Sequence, residues 1–333
     1  MIPGAWAALR GHSVCSAPDA GLINQTYEIG HPPRFVAQRV NPIFGPTVHE
    51  DIEAVTAHLA RQGLATPRLV RTDDGALWAA DADDGVWRVW TYVPGRTVHR
   101  VTDAGVAAEA GALVARFHRA TDALEWAYRH VRAGAHDTLA HMARLGARIR
   151  SGGVPGEDVA VAEQILEAWR RWEGSLDEPP RHAHGDLKIS NLRFDGDGRG
   201  VCLLDLDTLS LLPIDVELGD ALRSWCNPVG EDSLDTWFDL DLFEAAMQGY
   251  LSVRRLTDRE RSAVAAGPER IALELASRFC LDAIEDRYFG WNSARFPSRV
   301  AHNRFRAEGQ LRLGLSAHSQ RDALRRVLAD AGD

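Results

Sequence analysis

Lysine is almost absent from this chain of 333 residues. Lys188 is the one lysine, and the other 37 of its 38 basic residues are arginines. A composition bias of this kind replaces lysine wherever arginine can serve. A lysine that persists between Asp186 and Asn191 therefore indicates a role that needs a compact ammonium group rather than a planar guanidinium.

Cysteine and long apolar runs are scarce as well. The four cysteines are far apart and form no CxxC pair, which excludes the usual zinc spacings and a disulfide framework. No segment approaches the ~18 uncharged apolar residues of a membrane span, and the first residues lack the features of a signal peptide. We expect a soluble cytoplasmic protein with reduced thiols and no membrane partner.

Basic stretches and the common nucleotide motifs are also missing. The formal net charge is −9 and no segment is densely basic, so we expect no nucleic-acid partner. A GxGxxG motif is absent, and Lys188 follows Asp-Leu rather than the glycine of a Walker A motif. These absences exclude P-loop chemistry and leave dinucleotide binding without support. A local arginine site for an anionic substrate is still compatible with the overall charge.

The hydrophobic pattern changes near residue 94. Before it, residues 20–40 read as a hairpin, 48–62 have helical spacing, and 87–90 read as a strand. Pro94-Gly95 is a natural connector, after which helices are predicted around 102–121, 136–150, 157–174, 235–254, 259–288 and 300–329. The pattern predicts an α+β protein with two lobes. A small mixed N-terminal lobe with an antiparallel sheet occupies 1–93, and a larger, mainly helical C-terminal lobe occupies 94–333.

The β-like part of the second half, residues 182–207, carries the residues that indicate chemistry. Asn191 follows Asp186 by five positions, and Asp205 comes fourteen positions later. The segment between Asn191 and Asp205 reads as two short strands joined by an Asp-Gly-Asp-Gly turn. Because a hairpin brings its two ends together, we expect Asp186, Asn191 and Asp205 to converge.

Phosphoryl transfer requires a set of this kind. Mg²⁺ prefers hard oxygen ligands that it shares with phosphates, and Asn191 and Asp205 can supply them. Asp186 can align and deprotonate an acceptor hydroxyl. Lys188 can neutralise charge on the moving phosphoryl group.

Two motifs carry a resemblance to a known family. His-Gly-Asp-Leu-Lys-x-x-Asn at 184–191, followed by Leu-Leu-Asp-Leu-Asp at 203–207, resembles the aminoglycoside phosphotransferase and choline kinase superfamily. Further segments are similar to its sugar 1-kinase branch, the N-acetylhexosamine 1-kinase-like proteins: 24–27, 38–42, 50–56, 205–208, 217–223 and 303–307. The resemblance implies a bilobal protein-kinase-like fold and the cofactors ATP and Mg²⁺. It also implies that the small-molecule substrate is a hexose or N-acetylhexosamine, phosphorylated on its anomeric 1-hydroxyl.

The resemblance also implies roles for individual residues. Asp186 and Lys188 would be catalytic, Asn191 and Asp205 would bind metal, and His184 and Asp220 would support the catalytic loop. The implied nucleotide contacts are the 21–27 turn with Asn24 and Thr26, the helix residue Glu50 with Glu53 as its rival, and the hinge residues Trp90 and Tyr92. Asp286 and Arg306 match implied substrate contacts of the sugar-kinase branch. From residue type, Trp225 and Trp291 are candidate walls of a sugar site, and Asp207, which shares a strand face with Asp205, is a candidate contact to metal or sugar.

The third strand departs from the family pattern, because the lysine usual at that place is missing. Gln38 or Arg39 must occupy it, and neighbouring strand residues point to opposite faces. We favour Arg39 for a charged contact to phosphate, while Gln38 is the alternative that aligns with the family.

Other interpretations stay open at this point. The acceptor could instead be an aminoglycoside, an amino alcohol such as choline, or homoserine, and the acidic composition is compatible with a cationic acceptor. The missing lysine also leaves open a nucleotide-binding pseudokinase that acts as a regulator. A hydrolase with zinc on His182 and His184 is a third possibility. Structural roles compete as well: a hydrogen bond for Asp207, a helix cap for Asp220 and surface charge for Asp286 and Arg306. The sequence does not indicate the oligomeric state.

Overall fold

The computed structural model of the protein describes residues 2–17, 24–131 and 134–330. Its N-terminal lobe contains a five-stranded antiparallel sheet in the order β1-β2-β3-β5-β4. The strands are β1 Val14–Ser16, β2 Gln25–Ile29, β3 Phe35–Arg39, β4 Ala79–Ala80 and β5 Val86–Thr91. Gly21–Ile23 of the predicted phosphate-covering turn lie outside the described residues.

Among the described residues of this lobe, the α-helix is α1 Val48–Arg61, and a short 3₁₀ helix spans Ala7–Leu9. The first turn of α1 carries Glu50 and Asp51, and its last turn carries Arg61, a charge order that complements the helix dipole. Its apolar residues recur every three or four positions and are buried: Val48, Ile52, Val55 and Leu59. The helix therefore packs with one face against the core.

The C-terminal lobe is mainly helical. Its helices are α2 Ala104–Thr121, α3 Thr138–Arg150, α4 Gly156–Arg171, α5 Ile214–Trp225, α6 Leu240–Leu251, α7 Asp258–Glu285, α8 Arg299–Ser319 and α9 Arg321–Asp330. Five short strands complete it: β6 Arg96–Thr97, β7 Pro180–Ala183, β8 Leu192–Phe194, β9 Gly200–Leu203 and β10 Ser210–Pro213. They form a β6-β8-β9 sheet and a β7-β10 pair. Within the described residues, no helix is long and apolar enough to cross a membrane.

The predicted mixed N-lobe and helical C-lobe are confirmed. The single helix predicted over 300–329 is instead two helices, α8 and α9, separated at Gln320. At the break, the Gln320 side chain donates a hydrogen bond to the Phe238 carbonyl at 2.7 Å, and its backbone caps α8.

The two lobes join at a close backbone contact. The chain leaves the first sheet after Thr91 and enters the second at Arg96, which pairs with Phe194. Gly95 between them has φ +136°, and a Cβ there would lie 2.5 Å from the Phe194 carbonyl oxygen. Only glycine fits this crossing. The predicted division at residues 93 and 94 falls between the two strands.

Candidate active site

The β8–β9 hairpin brings the predicted catalytic residues together. Leu192 pairs with Leu203, and the Leu204 nitrogen donates to the Asn191 carbonyl at 2.7 Å. Lys188 Nζ lies 2.6 Å from Asp186 Oδ2 and 4.0 Å from Asp205 Oδ2. Asn191 Nδ2 lies 3.0 Å from Asp186 Oδ2. The four side chains form one polar cluster, as the spacing predicts.

Helix α5 holds the backbone of the catalytic loop through its buried acids. Glu217 accepts hydrogen bonds from the backbone nitrogens of His184 (2.7 Å) and Gly185 (2.9 Å). Asp220 accepts one from Leu187 N at 3.1 Å. These contacts place Asp220 where its predicted supporting role requires it. Glu217 makes the larger set of contacts, although sequence analysis gave it no role.

The His184 ring is buried and holds a fixed tautomer. Its Nε2 donates to the Leu204 carbonyl at 2.7 Å, so its Nδ1 can accept from the Asp186 backbone nitrogen at 3.3 Å. The ring therefore bridges the loop before Asp186 and the strand end before Asp205, which is a supporting position.

The side chains of the cluster shift one another's pKa values. Burial alone would raise the pKa of Asp186, but the ammonium and hydrogen bond of Lys188 hold that pKa below its usual value. Burial likewise opposes the charge of Lys188, while Asp186 and Asp205 raise the pKa of the lysine. Burial and the nearby charge of Asp207 raise the pKa of Asp205 to about 6. A cation beside Asp205 would relieve this unfavourable environment.

The donor set fits a magnesium ion. Asn191 uses its amide nitrogen on Asp186, which orients its amide oxygen for another partner. Asp205 has left-handed backbone angles, φ +59° and ψ +61°, and such strain is characteristic of functional positions. An amide oxygen and a carboxylate are ligands that Mg²⁺ accepts when phosphates complete its shell.

The alternative of a zinc site is wrong. Within the described residues, no three His, Cys, Asp or Glu side chains are grouped to hold a metal. His182 donates from Nε2 to the Leu124 carbonyl at 2.7 Å, and its Nδ1 accepts from the Tyr128 hydroxyl at 3.0 Å. With the Nε2 of His184 bonded to Leu204, the two histidines serve separate structural contacts.

A buried network joins the N-terminal sheet to the turn after Asp205. Asp207 forms a two-point ion pair with Arg88, in which Nη2 and Oδ2 are 2.8 Å apart. Asn24 donates to the same carboxylate at 2.8 Å and accepts from the Asn41 nitrogen. Burial alone would raise the pKa of Asp207, but Arg88 holds it below its usual value. Asp207 and Asn24 therefore lie in a contact between the lobes, and their predicted ligand contacts stay predictions.

Arg39, favoured for the phosphate contact, lies on the wrong face of the sheet. It pairs with Asp81 at 3.0 Å and lies opposite Trp87 in the β3–β5 ladder. Gln38 faces the catalytic side instead, donating to Thr26 Oγ1 at 3.1 Å and accepting from Trp90 Nε1 at 2.7 Å. The alternation of strand side chains places only Gln38 toward the other lobe.

The two candidate helix glutamates are also turned away from the third strand. Glu50 is exposed and pairs with Arg129, in the loop after α2. Glu53 pairs with Arg71 at 3.1 Å and Arg68 at 3.6 Å. The predicted pairing of either with a basic residue of the third strand is wrong, because that strand presents Gln38. The α1 residue that lies near Arg88 is His49.

The hinge residues keep their predicted place at the junction. Trp90 is buried on β5 beside Gln38. Tyr92 follows that strand, and its hydroxyl accepts a hydrogen bond from Arg193 Nη2 at 2.7 Å. Whether they contact adenine stays a prediction.

The predicted substrate residues have different fates. Trp225 is 1% exposed, and its indole donates to the Leu187 carbonyl at 2.8 Å, so its prediction as a wall of the sugar site is wrong. Arg306 is bound to Asp232 at 2.8 Å and to the Gly290 carbonyl at 3.0 Å. Asp286 caps α7 and is largely exposed, and Trp291 is 37% exposed. The substrate roles of these last three residues stay predictions.

A cavity of about 370 Å³ adjoins the catalytic loop. Gly185, Asp207 and Thr208 line it on the side of the loop, and His136 and Thr138 line it on the other side. His136 Nε2 lies 3.4 Å from the Gly185 carbonyl. The cavity therefore lies directly beside the catalytic loop.

Three buried residues of the site were missed from the sequence. Arg88, Glu217 and His49 are buried among polar partners. For Arg88 the signal was present in Trp87-Arg88-Val89-Trp90, where one arginine interrupts an apolar strand. A charge there needs a buried partner.

The chain belongs to the phosphotransferase enzyme family, because the model of that family, APH, matches residues 14–256. Two homoserine kinases are among its relatives. That of Gluconobacter oxydans is 29% identical over 209 residues, or 62% of each chain. That of Gluconacetobacter diazotrophicus is 32% identical over 233 residues, or 68% of this chain and 67% of the relative. The match thus spans less than two thirds of the first relative's length.

Solved kinases share the fold at low identity. The GDP complex of aminoglycoside 2'-phosphotransferase-IIIa aligns with a TM-score of 0.62 and 12% identity, over 90% of this chain and 92% of the other. An aminoglycoside phosphotransferase from Alicyclobacillus acidocaldarius gives 0.60 and 16%, over 97% of each chain. An amicoumacin kinase in complex with AMP-PNP and Ca²⁺ gives 0.59 and 17%, over 89% and 87%. The predicted bilobal, protein-kinase-like fold is confirmed.

Proposed function

We propose that this protein is an ATP- and Mg²⁺-dependent kinase that phosphorylates a hydroxyl group of a small polar molecule. The observation that supports this proposal most is the position of Lys188, whose ammonium lies 2.6 Å from Asp186 and 4.0 Å from Asp205. One cation thus joins the candidate base to the candidate metal ligand. Phosphoryl transfer depends on such positioning and charge stabilisation.

Each residue of the cluster has a part in the proposed reaction. Asp186, kept ionised by Lys188, accepts a hydrogen bond from the acceptor hydroxyl and aligns it for in-line attack. Asn191 fixes the Asp186 carboxylate through its amide nitrogen. Bound Mg²⁺, held by Asn191 and Asp205, would neutralise charge on the phosphate oxygens. Lys188 adds a positive charge beside the transferred group.

One candidate acceptor is a free sugar, phosphorylated on its anomeric hydroxyl. The support is the similarity of residues 24–27, 205–208, 217–223 and 303–307 to the N-acetylhexosamine 1-kinase-like branch. The product would be a hexose or N-acetylhexosamine 1-phosphate.

Homoserine is the other candidate acceptor, and it is the one that the two relatives favour. The support is the similarity of about two thirds of the chain to two homoserine kinases. Unlike a neutral sugar, homoserine carries an ammonium and a carboxylate group, so a site for it must match two opposite charges. The reaction and the candidate base are the same for both acceptors.

An ADP-release assay with Mg-ATP and a panel of acceptors tests the proposal. The panel contains free hexoses, N-acetylhexosamines, homoserine, aminoglycosides and choline. Turnover of one sugar, with loss of its reducing end, would establish the 1-kinase. Turnover of homoserine, or of a cationic acceptor only, would replace the sugar but keep the reaction class.

The Asp186→Asn variant distinguishes the kinase from a regulatory pseudokinase. For a kinase we expect turnover to fall by ~10²- to ~10⁴-fold, the range for losing a general base, while ATP binding persists. A protein that binds ATP but turns over no acceptor, with or without Asp186, would contradict the proposed function.

A further inference from the structure

A buried arginine lies beside the strand position where the family's lysine is missing. Arg88 on β5 is 0% exposed and lies directly opposite Gln38 in the β3–β5 ladder. Residues opposite each other in an antiparallel pair share one face of the sheet. Consistently, Arg88 Nε donates to Gln38 Oε1 at 3.0 Å. On this face of the sheet, the basic residue is therefore Arg88 on β5, and the family's lysine position on β3 is occupied by Gln38.

All three guanidinium nitrogens of Arg88 are engaged. Nε binds Gln38, and Nη1 and Nη2 bind the two carboxylate oxygens of Asp207. The guanidinium also lies 4.8 Å from the centre of the Trp90 ring. A two-point pair of this kind fixes the direction as well as the distance of its partner. Arg88 is thus committed to Asp207 and is not directed at a nucleotide phosphate.

Asp207 belongs to the turn that carries the candidate metal ligand. It follows Asp205 by two residues in the 3₁₀ turn Leu206–Thr208. Asp205 has φ +59°, which is unfavourable for a residue other than glycine and persists only where its surroundings enforce it. The ion pair with Arg88 is a rigid contact two residues away, so it connects the N-terminal sheet to the geometry of Asp205.

Helix α1 does not supply a carboxylate that competes for Arg88. Glu50 pairs with Arg129, and Glu53 pairs with Arg68 and Arg71. The α1 residue near Arg88 is His49, whose Nδ1 donates to the Pro46 carbonyl at 2.8 Å. Within the part of the chain that the structure describes, Asp207 is the acid that forms an ion pair with Arg88.

We propose that Arg88 is a positioning residue that acts through Asp207. It does not contact the nucleotide; it holds the Leu206–Thr208 turn so that the Asp205 carboxylate is placed to bind Mg²⁺ with ATP. The catalytic consequence rests on the proposed function. The effect on metal-dependent ATP binding requires no acceptor, so it can be measured separately.

The test compares ATP affinity in Mg²⁺ and in EDTA, measured by calorimetry on the full chain. Arg88→Gln alone would leave the Asp207 carboxylate buried without its cationic partner, which is strongly destabilising. The main variant is therefore the double change Arg88→Gln with Asp207→Asn, which replaces the ion pair by two amides that can hydrogen-bond. Arg88→Lys keeps the charge but loses the two-point geometry.

Arg39→Gln is the matched control. Arg39 lies on the same sheet but on the opposite face, where it pairs with Asp81. It was also the residue favoured from the sequence for the phosphate contact. We expect this variant to match the wild type in both conditions.

For the double variant, we expect the affinity in EDTA to stay near that of the wild type. The gain in affinity on adding Mg²⁺ should fall by ~10- to ~100-fold, the range for partners that orient metal ligands. The gain in ATP affinity of Arg88→Lys on adding Mg²⁺ should lie between those of the wild type and the double variant. If an acceptor is turned over, kcat should fall and the half-saturating Mg²⁺ concentration should rise, with little change in the KM for the acceptor.

Three outcomes would overturn the inference. An unchanged Mg²⁺ gain in the double variant would leave the pair a purely structural role. An equal loss of affinity with and without Mg²⁺ would mean that Arg88 contacts the phosphates directly. The same loss of Mg²⁺ gain in Arg39→Gln would show that the effect is not specific to Arg88.

Should the double variant fail to fold, Arg88→Lys decides by the same criteria. A wild type that shows the Mg²⁺ gain but no turnover would refute the proposed function alone.

Discussion

The carboxylate of Glu217 accepts the backbone N–H of His184 at 2.7 Å and, with its second oxygen, that of the next residue at 2.9 Å. A single buried side chain on α5 thus satisfies two consecutive amides of the loop that leads to Asp186. Backbone amides that are buried without a partner are costly. Glu217 therefore fixes the path of the catalytic loop.

Glu217→Gln should weaken both the loop and the fold. The amide nitrogen of glutamine cannot accept a hydrogen bond, so one backbone N–H loses its acceptor, at a cost of about 1–3 kcal/mol. We expect a lower melting temperature and a lower kcat, with ATP affinity less affected. Thermal unfolding and the acceptor assay measure these effects.

Glu167→Gln is the matched control for that change. Glu167 pairs with two arginines on the exposed face of α4, and exposed pairs contribute about 0–1 kcal/mol. If Glu217→Gln had the same melting temperature and kcat as this control, the two hydrogen bonds would not contribute to the stability of the loop.

The sequence was sufficient to predict the convergence of Asp186, Lys188, Asn191 and Asp205. All four flank one short hairpin, β8–β9, whose geometry follows from local turn residues and strand alternation. The same locality explains why most helices were predicted, since their periodicity lies in consecutive residues; α5 Ile214–Trp225 was not among the predicted ranges.

The errors came from contacts between distant segments. Arg39 and Glu50 were chosen because their types suit a phosphate clamp, but the strand register and the rotation of α1 decided which faces they occupy. Trp225 is separated by 38 residues from the Leu187 carbonyl that it binds, and no local pattern encodes that contact. Arg88 pairs with an acid 119 positions away, which only the assembled lobes reveal.

Lys188→Arg tests why one lysine persists in a chain of arginines. The ammonium lies between two carboxylates at 2.6 Å and 4.0 Å, whereas a planar guanidinium would favour two-point binding to one of them. We expect kcat to fall by ~10²-fold, similar to the loss of one transition-state donor, with little change in ATP affinity. Steady-state kinetics and calorimetry measure both.

Arg170→Lys is the control, in which an exposed arginine is replaced by lysine. Arg170 pairs with Glu167 at the surface. This change should leave both quantities unchanged. Full activity in Lys188→Arg would show that only the charge at position 188 matters.

Gly185→Ala should disrupt the catalytic loop. Gly185 has φ +77°, and a Cβ there would lie 2.6 Å from the Thr208 carbonyl oxygen. The left-handed conformation alone costs about 1–2 kcal/mol for alanine, and the collision adds to it. We expect a lower melting temperature and a large loss of turnover. Gly196→Ala, where no atom lies within 4 Å, should behave like the wild type; equal effects in both variants would contradict the steric argument.

His49 should make the fold sensitive to acid. Burial, followed by the nearby charge of Arg88, lowers the pKa of His49 from 6.5 to about 4, although Asp207 opposes this shift. Between these pH values the unfolded chain binds a proton that the folded protein does not. The contribution of His49 to stability is therefore complete above pH 6.5 and is lost as the pH falls toward 4. Its full size is about 3 kcal/mol, since one pKa unit corresponds to ~1.4 kcal/mol.

The measurement is the free energy of unfolding of wild type and His49→Gln at several pH values between 7 and 4.5. Glutamine can still donate a hydrogen bond to the Pro46 carbonyl, and it has no proton to gain. The variant should therefore lose less stability than the wild type as the pH falls, so that the two curves approach each other or cross in acid. A parallel curve for His49→Gln would mean that His49 can be protonated in the folded protein, and that the positive charge of Arg88 is more fully neutralised by Asp207 than the lowered pKa implies.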